Sequence, residues 1–220
     1  MFRRIYFYMT GKLITFEGIE GSGKDTQVKI LSHYLKKEGK NVEVYHEPGS
    51  TRIGAEIRRI LLNPNNVELC PYSELLLYYA ARAQLIDEKI KPVLNEGKIV
   101  LCNRYDDSSR AYQHYGRGVD LKLLNLLRTT FVKIIPDLTI LLDVPVDVGL
   151  KRSTTHEFGQ PDRFESEKFE FHERVRQGYL EMAKAEPKRF RVVDGSLPEH
   201  AVFSAVYQHV AALLNENKKK

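Results

Sequence analysis

Glycines at positions 18, 21 and 23, followed by Lys24, could together hold phosphate groups. Glycine lets backbone N–H groups turn inward around an anion, a helix N-terminus adds partial positive charge, and a lysine reaches the outer phosphates. The flanks suit that chemistry. Leu13-Ile14-Thr15-Phe16-Glu17 is a short apolar run fit for a buried strand, and Val28, Leu31, Tyr34 and Leu35 recur at helical spacing. A glycine-rich turn with no ligand is the plain alternative. Glu20, Gly21, Ser22, Gly23, Lys24, Asp25 and Thr26 are therefore expected to hold the phosphates of a nucleotide. One position departs from the usual pattern. A hydroxyl residue ordinarily follows the lysine and binds Mg²⁺, but here Asp25 follows it and Thr26 comes one place late. A carboxylate also coordinates Mg²⁺, so the metal would be held by a different donor.

Elements that could position such a loop recur along the chain. Apolar strand candidates at 13–17, 42–45, 98–102, 138–143 and 190–193 alternate with helical patterns at 25–38, 54–62, 71–96, 121–131, 166–184 and 199–215. Apolar strands separated by helices predict an α/β fold, a five-stranded parallel sheet covered on both faces. Ligands of such sheets bind beyond the carboxyl ends of the strands. Glu17 to Lys24, His46-Glu47-Pro48, Asn103-Arg104-Tyr105 and Asp143 all fall there. Residues 153–162 are polar and aperiodic, with Arg152 and Arg163 beside them. They read either as a surface loop or as a lid over the phosphates. One domain is expected over 11–215, with an extension at 1–10 (Met1 or Met9 as the start), a lid at about 152–163 and a basic tail at 216–220.

Bulk composition excludes several classes. Of 220 residues, 42% are hydrophobic and 29% charged, as in ordinary globular proteins. The net charge of +5 comes from Arg3, Arg4, Lys218, Lys219 and Lys220; without them 29 basic residues face 29 acidic ones. The total therefore calls for no nucleic-acid partner. Cys70 and Cys102 make no disulfide framework and have no companion metal ligands. No apolar run approaches the ~20 residues that span a bilayer, and the stretch after Arg4 is short for a signal peptide. The cytoplasm is the expected location, with no membrane partner.

A phosphate loop alone does not choose among kinases, GTPases and motor ATPases. Asn-Lys-x-Asp motifs of GTPases are absent, while Tyr78 and Arg82 lie four apart and share a helix face. One could stack on a base while the other bonds its edge, although Tyr78 and Tyr79 also suit a core. Further segments extend the pattern in chain order. They are Glu47-Pro48-Gly49-Ser50-Thr51, Leu77-Tyr78-Tyr79-Ala80-Ala81-Arg82, Asn103-Arg104-Tyr105, Ala111-Tyr112-Gln113, Gly116-Arg117-Gly118, Leu142-Asp143-Val144-Pro145 and Asp162-Arg163-Phe164-Glu165. With the loop, they resemble the thymidylate kinases over nearly the whole chain. The Ala-Tyr-Gln segment and the Tyr-x-x-x-Arg pair are more specific than the loop.

The resemblance implies transfer of the ATP γ-phosphoryl group to dTMP, giving dTDP and ADP, with Mg²⁺ as cofactor and a homodimer as the assembly. It implies that Lys24 holds ATP phosphates and that Arg104, with Arg58, binds the dTMP phosphate. Tyr78 matches the aromatic that stacks on thymine, and Arg82 the residue that reads the base edge. Glu20 lies near the acceptor sugar, with Glu47, Pro48, Ser108, Tyr112 and Gln113 around the acceptor pocket. Gly21 stands where some members carry a catalytic arginine, which implies the type with that arginine in the lid. Arg152 and Arg163 are then the candidates, Arg163 the better match, because His156 is the lid's only interior basic residue.

Three departures stand against the resemblance: Asp25 for Ser or Thr, Asn103 for the usual Asp, and His46 with Ser50 where Arg and Gly are usual. The first two suggest an exchange, with Asp25 supplying the charge near Mg²⁺ that Asn103 has lost and Asn103 acting through water. Two alternatives stay open at this point: a kinase with another nucleotide acceptor, and a catalytically silent nucleotide-binding homologue.

Overall fold

The computed structural model describes residues 10–153 and 161–216. The extension up to residue 9, His156 and the rest of the lid over 154–160, and the tail from 217 lie outside the described residues.

Five strands form one parallel sheet: β1 (Lys12–Glu17), β2 (Val42–His46), β3 (Ile99–Asn103), β4 (Leu138–Asp143) and β5 (Phe190–Asp194). Their order is β2-β3-β1-β4-β5. Every pair is parallel, with Phe16 opposite Asn103 on one side of β1 and Ile140 on the other. The predicted strands are therefore present, with ends shifted by a residue. Chain order reverses about β1, and this switch point opens the crevice at the carboxyl end of the sheet.

Side-chain alternation explains the two covered faces. Ile14 and Phe16 of β1 join Leu101, Ile140 and Leu142 in a core with Leu31 and Leu35 of α1 (Lys24–Lys37) and Val206 of α9 (Glu199–Glu216). On the opposite face, Leu13 packs with Val100, Cys102 and residues of α3 (Pro71–Leu85). The remaining odd positions of β1 are polar: Thr15 Oγ1 lies 2.9 Å from Thr139 Oγ1, and Glu17 is fully buried. That face thus carries charge beneath the crevice.

The helix expected over 71–96 is one continuous run. After α3 it widens into a π-type stretch at Ile86–Ile90 and ends as α4 (Lys91–Asn95). The helix expected over 121–131 likewise widens, at Arg128–Val132, after its regular turns at Leu121–Leu127. Three helical segments escape the sequence pattern. After β3 come Asp106–Ser109 and a wide-turned continuation at Arg110–Gly116; after β4 comes Val146–Arg152. The first has no apolar stripe because its buried face is ionic. Asp106 and Asp107 are 2% and 1% exposed, and Arg82, Arg128 and Arg189 neutralise them.

Candidate active site

Between β1 and α1 the backbone bends through left-handed glycines, with φ 64° at Gly21 and 93° at Gly23. Gly23 caps α1 without any side-chain hydrogen bond, and the first helical bond runs from Gln27 N to Gly23 O at 3.0 Å. The first-turn N–H groups are left for an anion. Gly21 is required for a second reason: a Cβ there would stand 1.9 Å from the carbonyl oxygen of Gly149, in the helix after β4. An arginine at position 21 has no room. Lys24 is buried, and its Nζ donates to Ile19 O at 2.7 Å and to Gly18 O and Ser22 Oγ at 3.1 Å each. Burial, reinforced by the nearby Arg104 cation, lowers its amine to about 7. A group in that state gains strongly from phosphate oxygens.

Arg104 follows β3 and faces the loop. Its backbone is left-handed, φ 65°, an uncommon state for a residue with a side chain. Flanking hydrogen bonds fix the turn: Arg104 N to Phe16 O at 2.9 Å, and Tyr105 N to Glu17 Oε1 at 2.8 Å. The guanidinium donates to Gly18 O and to Glu20 Oε1, each at 3.0 Å, and lies 4.9 Å over the Tyr112 ring. Tyr112 OH donates to the same Glu20 oxygen at 2.6 Å. Burial alone would raise the Glu20 carboxyl, but His172, Arg104, Lys24 and Tyr112 together draw it down to about 2.

These groups border a cavity of about 930 Å³. The cavity is lined by the loop from Glu20 to Gln27 and by Glu47, Pro48, Arg58, Tyr78, Arg82, Asn103, Arg104, Ser108, Tyr112, Gln113 and Arg152. All the residues expected to bind ATP or dTMP are therefore together. Tyr78 is half-buried, whereas Tyr79 is a core residue whose hydroxyl donates to Asp106. Arg82 is 1% exposed, and its donors are already committed to Glu47 (2.7 Å), Ser109 (3.0 Å), the Tyr105 carbonyl (3.0 Å) and Asp106 (3.4 Å). It braces the pocket floor as well as lining it.

Arg163 does not line the cavity. It is held by the Leu61 carbonyl and Glu74, each at 2.9 Å, and Glu74 also accepts from Gln113 and Arg117. Sequence matching favoured Arg163 over Arg152; here Arg163 is paired with buried Glu74. Arg152 borders the phosphate loop, donating to Gly195 O and Ser196 O.

Asn103 and Asp25, 78 residues apart, meet directly. Asn103 Nδ2 donates to Asp25 Oδ1 at 2.6 Å, while the buried Asn103 Oδ1 has no partner among the described residues. The third departure is also a contact: Ser50 Oγ accepts from His46 N at 2.7 Å and lies 3.2 Å from His46 Nδ1.

Several residues of the site have roles that motif reading does not assign. Glu17 accepts from Tyr105 N, Ser108 Oγ (2.6 Å) and Tyr179 OH (2.9 Å), and both hydroxyls touch Arg104. Burial, helped by Asp107, raises its carboxyl to about 7. His172 and Tyr179 sit on α8 (Phe169–Ala185), whose pattern signals only an amphipathic helix. Gly195 to Glu199 line the loop side of the cavity; their place just after β5 was the available signal.

Comparison with known proteins identifies the family. The family model described as thymidylate kinase matches residues 16–206. A thymidylate kinase of Pelotomaculum thermopropionicum is 46% identical over 208 residues, covering 94% of this chain and 96% of the relative. One of Geobacter sulfurreducens is 48% identical, covering 89% and 94%. A crystal structure of thymidylate kinase from Ehrlichia chaffeensis superposes with TM-score 0.74 at 33% identity, covering 91% of this chain and 98% of that one. The chain belongs to the thymidylate kinase family.

Proposed function

We propose a division of labour within the cavity for the reaction of this enzyme, transfer of the ATP γ-phosphoryl group to dTMP to give dTDP and ADP. The observation that supports it most is Arg104, which bonds the Gly18 carbonyl of the phosphate loop and Glu20 at once. It stands where donor and acceptor phosphates would meet. The loop amides, Ser22 and Lys24 hold the ATP phosphates, with Asp25 and Thr26 at the start of α1 and Arg152 alongside. Arg104 and Arg58 hold the dTMP phosphate, Tyr78 stacks on thymine, Glu20 and Tyr112 meet the sugar, and Ser108, Gln113, Glu47 and Pro48 complete the wall. An oxygen of the dTMP phosphate bonds to the γ-phosphorus as the bond to the bridging β–γ oxygen breaks, and the electron pair leaves with ADP. The acceptor is already an anion, so positioning and charge neutralisation carry the rate.

The donor set fits Mg²⁺. Among the described residues no group of three or more His, Cys, Asp or Glu could form an all-protein cage. One exposed carboxylate, Asp25, beside a buried amide oxygen, Asn103 Oδ1, unpartnered among the described residues, suits an ion held largely by waters and phosphates. When bound, Mg²⁺ supplies positive charge against the phosphates. Asp25 and Asn103 would hold it, Asn103 through water.

The assembly is a homodimer in this reading. Ile53 and Ile60 of α2 (Arg52–Leu62), Tyr72 and Leu76 of α3, and Leu126 and Phe131 leave apolar side chains exposed, which self-association would cover. Sedimentation at micromolar concentration tests this, and a monomer overturns it. The cytoplasm is the proposed location. Cys70 and Cys102 are both free thiols, and no helix among the described residues is long and apolar enough to cross a membrane.

ADP release measured with ATP, Mg²⁺ and each of dTMP, dUMP, dGMP and AMP tests the function. Turnover confined to dTMP is expected. Preferred turnover with another acceptor would overturn the base assignment, and ATP binding without any turnover would return the silent-homologue reading.

A further inference from the structure

Two buried polar groups behind the acceptor pocket remain unsatisfied and face each other. Glu20 Oε1 accepts from Arg104 and Tyr112, but Oε2, also buried, has no hydrogen-bond partner among the described residues. His172 is 0% exposed, and neither of its ring nitrogens is hydrogen-bonded there. The gap between them is short, with His172 Nδ1 lying 3.4 Å from Glu20 Oε2. Burying an imidazole with neither nitrogen satisfied is costly, and each such orphan calls for an explanation. Closing the gap by about half an ångström would satisfy Glu20 Oε2 and the Nδ1 side of the ring.

We propose that His172 is a positioning residue for the acceptor site: its Nδ1–H donates to Glu20 Oε2 and pins the carboxylate so that Oε1 faces Arg104, Tyr112 and the acceptor's sugar hydroxyl. The inference rests on the reading of Glu20 as the sugar-facing carboxylate. Its logic is that of a two-ended clamp. A carboxylate held at one oxygen rotates about its Cγ–Cδ bond, and one held at both does not. With Oε2 fixed, Arg104 and Tyr112 keep a common acceptor in a constant place. The ring is itself fixed by edge-to-face packing against Phe171 at 5.5 Å and by the rigid α8 backbone. The donor atom is therefore specified: the proton that faces Glu20 sits on Nδ1.

Two measurements test this. Steady-state kinetics would compare dTMP with its 3′-deoxy analogue for the unaltered enzyme, His172→Leu, His172→Asn and Glu20→Gln. His172→Leu should raise KM for dTMP by about tenfold, the loss expected for one hydrogen bond to a charged group. It should leave KM for ATP unchanged and reduce the preference for dTMP over the 3′-deoxy analogue. His172→Asn, whose amide nitrogen takes the place of Nδ1, should restore most of both. Equal effects of Leu and Asn would mean a packing role and overturn the proposal. If Glu20→Gln leaves the preference intact, the sugar-facing reading of Glu20 itself falls. If Glu20→Gln abolishes it while His172→Leu does not, only the His172 proposal falls. Nitrogen-15 imidazole spectra of the unaltered enzyme give an answer independent of the variants' folding. A protonated Nδ1 is expected, and a proton on Nε2 with a bare Nδ1 overturns the proposal.

Discussion

On the proposed division of labour, the donor end of the cavity is made mostly of backbone, whereas the acceptor end is made of side chains from several separate elements. From Gly18 to Thr26 one short segment supplies amides, a helix terminus and a lysine, and its shape follows from glycine torsions. At the acceptor end, Glu20, Glu47, Arg82, Arg104 and Tyr112 come from five stretches of chain and are already paired with one another. The donor end meets a ligand whose charge it lacks; the acceptor end has balanced its own charges in advance. Loss of a donor-end group should therefore affect one ligand, while loss of an acceptor-end group should also disturb the fold.

The largest effect expected is on catalysis at the meeting point. Lys24→Ala and Arg104→Ala should each lower kcat/KM by roughly 10³-fold or more, the scale for losing a cation aimed at transferring phosphate. Calorimetric titration should separate them, with ATP affinity falling in the first and dTMP affinity in the second. Equal loss of both ligands in either variant would break the division between the two ends.

Stability distinguishes the ends next. Arg82→Ala strands Glu47 in a buried pocket, while Asp106 keeps Arg128, and should cost about 3–5 kcal/mol. For a chain of this size that is a melting temperature lower by roughly 10 °C. Lys24→Ala breaks no direct carboxylate pair, since Nζ bonds Ile19 O, Gly18 O and Ser22 Oγ, and should lower the melting temperature less than Arg82→Ala does. If Arg82→Ala melts normally and weakens only dTMP, Arg82 acts as a base reader without bracing the fold.

A smaller, paired effect is expected where the ends touch. Asn103→Asp places a second carboxylate against Asp25 in place of the present 2.6 Å hydrogen bond, and like charges so close resist joint ionisation. Activity should fall about tenfold or more, and so should Mn²⁺ affinity measured by electron paramagnetic resonance of the ADP complex. Adding Asp25→Thr should recover most of both. A gain from Asn103→Asp alone would end the idea that the two positions exchanged roles.

The smallest effect is in pH. Lys24 has an amine lowered to about 7 by burial, and bound phosphate favours its charged form, so the pKa rises on ATP binding. Above pH 7 the free protein must therefore take up a proton to bind ATP, and affinity should fall by at most tenfold per pH unit toward the bound-state pKa. Calorimetry at pH 8 in buffers of different ionisation enthalpy should show net uptake. None would mean that the lysine is already charged before ATP arrives.

The amino-acid order by itself determined the five strands, the helical period of most helices and the phosphate loop, because each depends on neighbours within a few residues. Apolar β-branched runs read as strands whatever lies around them, and Gly-x-Gly-Lys bends the same way wherever a strand feeds it into a helix. Local pattern also placed Tyr78, Arg104 and Tyr112 correctly at one cavity, through segments whose spacing is specific. What the tertiary structure alone decided is pairing. No local signal says that Asp106 and Asp107 can be buried in a helix, since arginines from distant elements make that possible. Nor does spacing show that Glu74 pairs with Arg163, that Glu17 supports the left-handed turn at Arg104, or that His172 lies behind Glu20. Charged groups attract according to distance in space, and only the folded sheet brings positions 20, 104 and 172 together.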